Sequence, residues 1–250
     1  MLMDDTFMFA LQTHNLKKYF GGVHAVDGLT LSIRKGTITS IVGPNGSGKS
    51  SCVNVLSGVY SIDAGTVTID SVAFHKLNTY DVSTYGITRT FQEVRLFEQM
   101  TVLDNMLVVT TERNVFGALA EKHSDYHYRK SIDVLKRVGL EERKNALALN
   151  LSYGQRKLLE IARVLAMDKS LILFDEPFAG LFPQMVKIVV SIVKELREQG
   201  KTIVLIEHNM DLIRELSDEV IVIDEGRVLA SGEPGAVLKR RDVIEAYLGE

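Results

Sequence analysis

Cysteine is nearly absent from this 250-residue chain: Cys52 stands alone, so no intramolecular disulfide framework can form. Basic charge is not in excess either. Lys and Arg total 29 against 32 Asp and Glu, a net charge of −3, which argues against nucleic acid as a partner. No apolar run approaches the roughly 18 residues of a membrane span; the longest, "SLILF" and "VKIVVSIVK", are short or broken by lysine. The N-terminal "MLMDDTFMFA" carries acid where a signal peptide carries Lys or Arg. Internal repeats, Pro-rich linkers and low-complexity tracts are missing too. Together these absences predict a soluble cytoplasmic protein, with Cys52 as a buried, inert thiol.

What is present is an ordinary globular composition, 46% hydrophobic and 24% charged, long enough for one large domain or a core with a subdomain. From about Phe7 to Ile41 short apolar–polar alternations broken by "GG" and "KG" predict strands. "TITSIVGPNGSGKSSCVNVLSG" reads as strand, glycine loop and helix, stopped at Gly58, and "AGTVTIDSVAF" as a further strand segment. Between Val102 and Ala166 the periodicity becomes helical, with polar connections near "AEKHSDY" and "LEERKN". Strand–helix alternation then returns: "SLILFDE", "PQMVKIVVSIVKELREQG", "KTIVLIEH", "NMDLIRELSD", and a hairpin "EVIVIDEGRVLASG" turning at Glu225-Gly226. The pattern predicts an α/β fold with a mostly parallel sheet. Its nucleotide-binding core would span 1–92 and 167–232. An N-terminal antiparallel β segment would precede the core, a helical subdomain over 93–166 would be inserted, and 233–250 would form a helical tail.

"GPNGSGKS" matches G-x-x-x-x-G-K-[ST] in full, between a predicted strand and helix as that phosphate loop requires. The loop of Gly43, Pro44, Asn45, Gly46, Ser47 and Gly48, continuing to Ser51, would surround a β-phosphate, its glycines letting the backbone N–H groups turn inward. Lys49 would reach the β- and γ-phosphates, and the Ser50 hydroxyl would ligate Mg²⁺. "LILFDEP" ends a buried strand in Asp175-Glu176; the first acid suits Mg²⁺ and the second suits polarising a water for attack. These parts predict a P-loop NTPase, and a small-molecule kinase would share them. A second anion-binding helix start, "LSYGQ", offers Ser152, Gly154 and Gln155, which leaves one chain with two phosphate loops.

"LSYGQ" resembles the L-S-G-G-Q signature of ATP-binding cassette (ABC) ATPases. In that family two cassettes pack head to tail, each signature closing on the ATP held by the other's P-loop, which implies a second ABC ATPase subunit, identical or related. The resemblance implies further roles in order along the chain. Gln92 in "RTFQEVRLF" would be the Q-loop glutamine, joining the metal site to the membrane subunit, and His208 in "IVLIEHN" the switch histidine. "AGLFP" would be the D-loop, and Phe20 the aromatic on adenine, with Tyr19 as fallback. "RTFQEVRLFEQMTVLDN", "LSYGQRKLLEIAR", "IEHNMDL" and "EAYLGE" are similar to the ATP-binding subunits of branched-chain amino-acid importers; lipopolysaccharide-export and urea-import ATPases share much of them. Integral-membrane subunits, a solute-binding protein and a peripheral place on the cytoplasmic face of the membrane are implied. Tyr153 departs from the signature glycine, and Phe182 stands where the D-loop has aspartate or asparagine.

Bland readings accompany these. His123 and His127 would share a helix face, with no further ligands for zinc. His14, His24 and His75 have no partner motif. Val94, Leu96, Phe97 and Met100 read either as core of the helical subdomain or as a groove for a short helix of a membrane subunit.

Overall fold

The computed structural model describes residues 8–110 and 124–248. It divides into two compact units: 1–89, 170–176 and 193–250 form the first, and 90–169 with 177–192 the second. The second unit thus takes in 177–192, which the sequence reading places in the core.

In the first unit, strands β1 (Phe9–Phe20), β2 (Val23–Arg34), β4 (Ala64–Ile69) and β5 (Val72–Phe74) make an antiparallel sheet in the order β2-β1-β4-β5. The segment read as one strand, 64–74, is therefore a hairpin. Its two turn residues, Asp70 and Ser71, both have positive φ, 43° and 73°. That is the backbone of a two-residue turn that continues strand twist, and without glycine the sequence gives it little signal. Glu225 and Gly226, at φ 45° and 75°, form the hairpin turn that the sequence does announce.

The larger sheet has the order β10-β9-β3-β8-β7-β6, with β3 (Ile38–Val42), β6 (Ile87–Arg89), β7 (Leu171–Asp175), β8 (Thr202–Ile206) and β9 (Glu219–Asp224) parallel and β10 (Arg227–Gly232) antiparallel to β9. Every residue of β3, β7 and β8 is buried, the signature of parallel strands covered on both faces. Alternate side chains go to different cores. Ile41, Ile221 and Ile223 join α1 (Lys49–Leu56) and the antiparallel sheet in one apolar cluster. Val42, Val220 and Val222 meet a second cluster with Ile213, Val237 and Val243. Those three come from short helices along the chain end: α7 (Met210–Leu216), α8 (Pro234–Val237) and α9 (Arg241–Leu248). A further short helix, α2 (Thr79–Thr84), precedes β6.

The second unit contains α3 (Val102–Thr110), α4 (Ser124–Arg137), α5 (Tyr153–Met167) and the first part of α6 (Pro183–Glu198). "LEERKN" forms a single 3-10 turn, Glu141–Arg143. His123 and most of "AEKHSDY" lie outside the described residues. His127 is partly buried, and no cluster of three metal-ligating side chains occurs among the described residues.

Candidate active site

Parallel strands in register bring their carboxyl ends to one edge, and that alignment builds the candidate site. Ile41 of β3 is level with Ile206 of β8, which is level with Asp175 of β7. The residues that follow each strand are the P-loop from Gly43, Glu207-His208 and Glu176. Open α/β sheets place ligands at this edge.

The P-loop is wedged rather than merely flexible. Gly48 has φ +99°, and a Cβ there would meet the Ala25 carbonyl oxygen at 2.2 Å. The turn at Gly226 donates its N–H to Ser47 O at 2.9 Å. Only glycine lets the loop turn into α1 against β2. The Lys49 ammonium donates to Gly43 O at 2.8 Å and Pro44 O at 2.7 Å, with Ser47 Oγ at 3.4 Å. Burial holds its pKa below the ordinary lysine value, and the negative charge of Glu176 works against that shift. Cys52, one turn into α1, is fully buried, and burial pushes its thiol up to about 12, as expected of an inert cysteine.

Glu176 takes a left-handed backbone, φ 48°, which costs a residue with a Cβ about 1–2 kcal/mol. Its N–H is held by Ile206 O at 3.0 Å, and its Oε1 lies 3.3 Å from His208 Nε2. Glu207, absent from the sequence reading, is buried and accepts the His208 and Asn209 amides at 3.0 and 3.3 Å, turning the chain out of β8. Asp175 is buried; its Oδ2 accepts from Arg89 Nη2 at 3.0 Å. Arg89 was not singled out either. Phe20 is partly exposed, edge-on to Tyr60 at 5.0 Å between ring centroids, while Tyr19 pairs with His24. Ser50 and Asn45 are exposed.

Within the second unit, Ser152 and Gln155 form a reciprocal capping box at the start of α5. Ser152 Oγ accepts the Gln155 amide at 3.4 Å, and Gln155 Oε1 accepts the Ser152 amide at 3.0 Å. The same spacing that suggested phosphate binding therefore also caps a helix. Gly154 packs against Met185, whose Sδ would have to shift to admit a Cβ, the added atom lying 2.7 Å from it. The Tyr153 ring lies over Gly180, so the signature departure and the D-loop segment are in contact, while Phe182 is 71% exposed. Gln92 is exposed, and α5 grips the backbone on either side of it. Glu160 Oε1 accepts from Phe91 N–H at 3.1 Å, and Arg163 donates to the Arg95 carbonyl at 2.5 Å. Burial raises the Glu160 pKa, against the Phe91 and Arg95 amides that lower it. The only sequence cue to Glu160 and Arg163 was their charge on the buried side of an amphipathic helix. Phe97 and Met100 are exposed, 46% and 40%, so they do not pack in a core.

The family model described as ABC transporter matches residues 26–179. The chain belongs to the ABC transporter family. It is 37% identical to the high-affinity branched-chain amino acid transport ATP-binding protein LivG of Salmonella typhimurium, over 96% of this chain and 98% of that relative. A nucleotide-free ATP-binding cassette from an ABC transporter superposes with a TM-score of 0.84 at 33% identity, covering 97% of this chain and all of that one. A dimeric post-hydrolysis cassette bound to ADP and phosphate gives 0.80 at 26% identity, covering 90% and 98%. As an ABC cassette the chain binds and hydrolyses ATP. No helix among the described residues is long and apolar enough to cross a membrane.

Proposed function

We propose that this ABC ATPase powers the import of branched-chain or related amino acids. It would work as a head-to-tail dimer on integral-membrane subunits at the cytoplasmic face, fed by a solute-binding protein. The observation that carries the catalytic part is the register of β3, β8 and β7, which sets Lys49, His208 and the Asp175-Glu176 pair at one sheet edge. Near full-length similarity to LivG supports the solute class.

In this reading Lys49 clamps the β- and γ-phosphates, the N–H groups of 45–51 cradle them, and Phe20 stacks on adenine. Ser50 and Asp175 would hold Mg²⁺. A hydroxyl and a buried carboxylate are the hard oxygen donors this cation takes, and phosphates and waters complete its shell in place of an all-protein cage. When bound, Mg²⁺ neutralises charge on the β- and γ-phosphate oxygens. Glu176 accepts the proton of the attacking water, and His208 orients that carboxylate from 3.3 Å. Ser152, Gly154 and Gln155 close on the γ-phosphate of the partner cassette.

The test is uptake. Radiolabelled leucine, isoleucine and valine are offered to cells lacking the native gene and carrying either this chain or Lys49→Ala. Uptake restored only by the unaltered chain supports the reading. Equal uptake with both refutes it, and loss of some other solute's uptake would reassign the cargo.

A further inference from the structure

Arg89 is the last residue of β6, in register with Leu173, two residues before Asp175 on the neighbouring strand. Side chains two apart on a strand share a face. Its guanidinium spans three acceptors on two elements. Nη2 donates to Asp175 Oδ2 at 3.0 Å, and Nη1 donates to Asn54 Oδ1 at 2.9 Å and Ser57 Oγ at 2.6 Å. Asn54 belongs to α1, and Ser57 follows it directly, its own hydroxyl donating to Val53 O at 2.7 Å. The side chains of Arg89 and Asp175 are 8% and 4% exposed.

A buried ion pair is poor value for stability alone, because desolvation offsets most of its attraction. What this one accomplishes is geometric. The helix that Arg89 grips begins with Lys49 and Ser50; the strand it grips ends in Asp175. We propose that Arg89 is a positioning residue for the Mg²⁺ site, setting the separation of the Ser50 hydroxyl and the Asp175 carboxylate by tying α1 to the end of β7. The inference rests on the reading of Ser50 and Asp175 as metal-side groups. Only a planar fork serves this purpose, since a lysine ammonium cannot reach Asn54, Ser57 and Asp175 together with fixed angles. Groups that orient metal ligands are commonly worth 10–100-fold in metal affinity.

The experiment titrates Mn²⁺, read by electron paramagnetic resonance, into the full chain with a non-hydrolysable ATP analogue. Nucleotide affinity is measured separately in EDTA, and thermal unfolding alongside. Arg89→Ala is expected to weaken Mn²⁺ half-saturation by about tenfold or more while nucleotide affinity in EDTA stays within threefold of wild type. Arg89→Lys should fall between wild type and Arg89→Ala. Asp175→Asn is the control for the underlying site. If it binds Mn²⁺ like wild type, the metal-site reading fails and this inference with it. If it weakens Mn²⁺ but Arg89→Ala stays within threefold of wild type, only the inference is overturned. A lower unfolding temperature with unchanged half-saturation marks a merely structural brace, and loss of nucleotide affinity in EDTA marks P-loop collapse; either also overturns it. Should Arg89→Ala not fold, Arg89→Lys decides alone: more than threefold weaker Mn²⁺ supports the role, and less refutes it.

Discussion

Glu176 Oε1 and His208 Nε2 stand 3.3 Å apart although they follow different strands, β7 and β8. The pairing exists because those strands are parallel and in register, Asp175 beside Ile206, with the Glu176 amide bonded to Ile206 O. In the proposed mechanism this contact would aim the Glu176 carboxylate at the attacking water.

Glu176→Gln retains the shape and removes the basicity, so turnover should drop by about 10²–10⁴. Intact ATP would then hold two cassettes together, and the variant should sediment as an ATP-dependent dimer. Adding Ser152→Asp keeps an N-cap acceptor for α5, as the capping box requires, and sets a carboxylate against the partner's γ-phosphate. The double variant should bind ATP yet sediment as a monomer. Dimers as abundant as with Glu176→Gln alone would mean that the signature loop never meets the partner's nucleotide.

Lys49→Ala removes the ammonium that bridges Gly43 O, Pro44 O and Ser47 Oγ. ATP turnover should fall below detection in a steady-state phosphate-release assay. Unchanged turnover would take away the foundation of the site.

Phe97 presents its ring to solvent beneath the Arg163 guanidinium, 5.4 Å from the ring centroid, while Asn105 holds its backbone. Phe97→Asp should therefore leave stability within about 0.5 kcal/mol and basal ATPase intact, yet release the chain from membranes bearing its transporter. Co-sedimentation with those membranes checks this; retention with full transport would move the docking surface elsewhere.

Cys52 supplies a test of packing. With its thiol pushed up to about 12 from 9.0, the folded state keeps its proton at pH 8 and should resist alkylation until unfolded. The shift is upward, so its contribution to stability is present below pH 9 and is lost as pH rises from 9 toward 12. Iodoacetamide labelling with and without denaturant reads the first; denaturation midpoints of wild type against Cys52→Ala across that range read the second. Rapid native labelling at pH 8 would contradict the burial.

Much of the site was legible because phosphate chemistry imposes local patterns. A loop of glycines ending in Lys-Ser, two acids closing an apolar strand, and Ser152, Gly154 and Gln155 opening an amphipathic helix are contiguous in sequence. Arg89, Glu160, Arg163 and Glu207 were not legible. Arg89, Glu160 and Arg163 are isolated charges whose meaning depends on partners far along the chain, Asp175, Phe91 and Arg95. Glu207 is read only from its burial and the turn it makes with the His208 and Asn209 amides. The hairpin at Asp70-Ser71 was missed for a different reason, since neither residue advertises the left-handed turn it adopts.

The sequence by itself determined the family, the ATP chemistry and the strand–helix order, because short-range patterns of glycine, charge and apolar period specify backbone turns and element types. Only the tertiary structure decided that Glu176 faces His208, that Tyr153 covers Gly180, and that Arg89 joins α1 to β7. The first and last follow from strand order and register in the sheet, and the second from packing within the second unit. Non-local pairing and burial set that register, and no window of the sequence contains both partners.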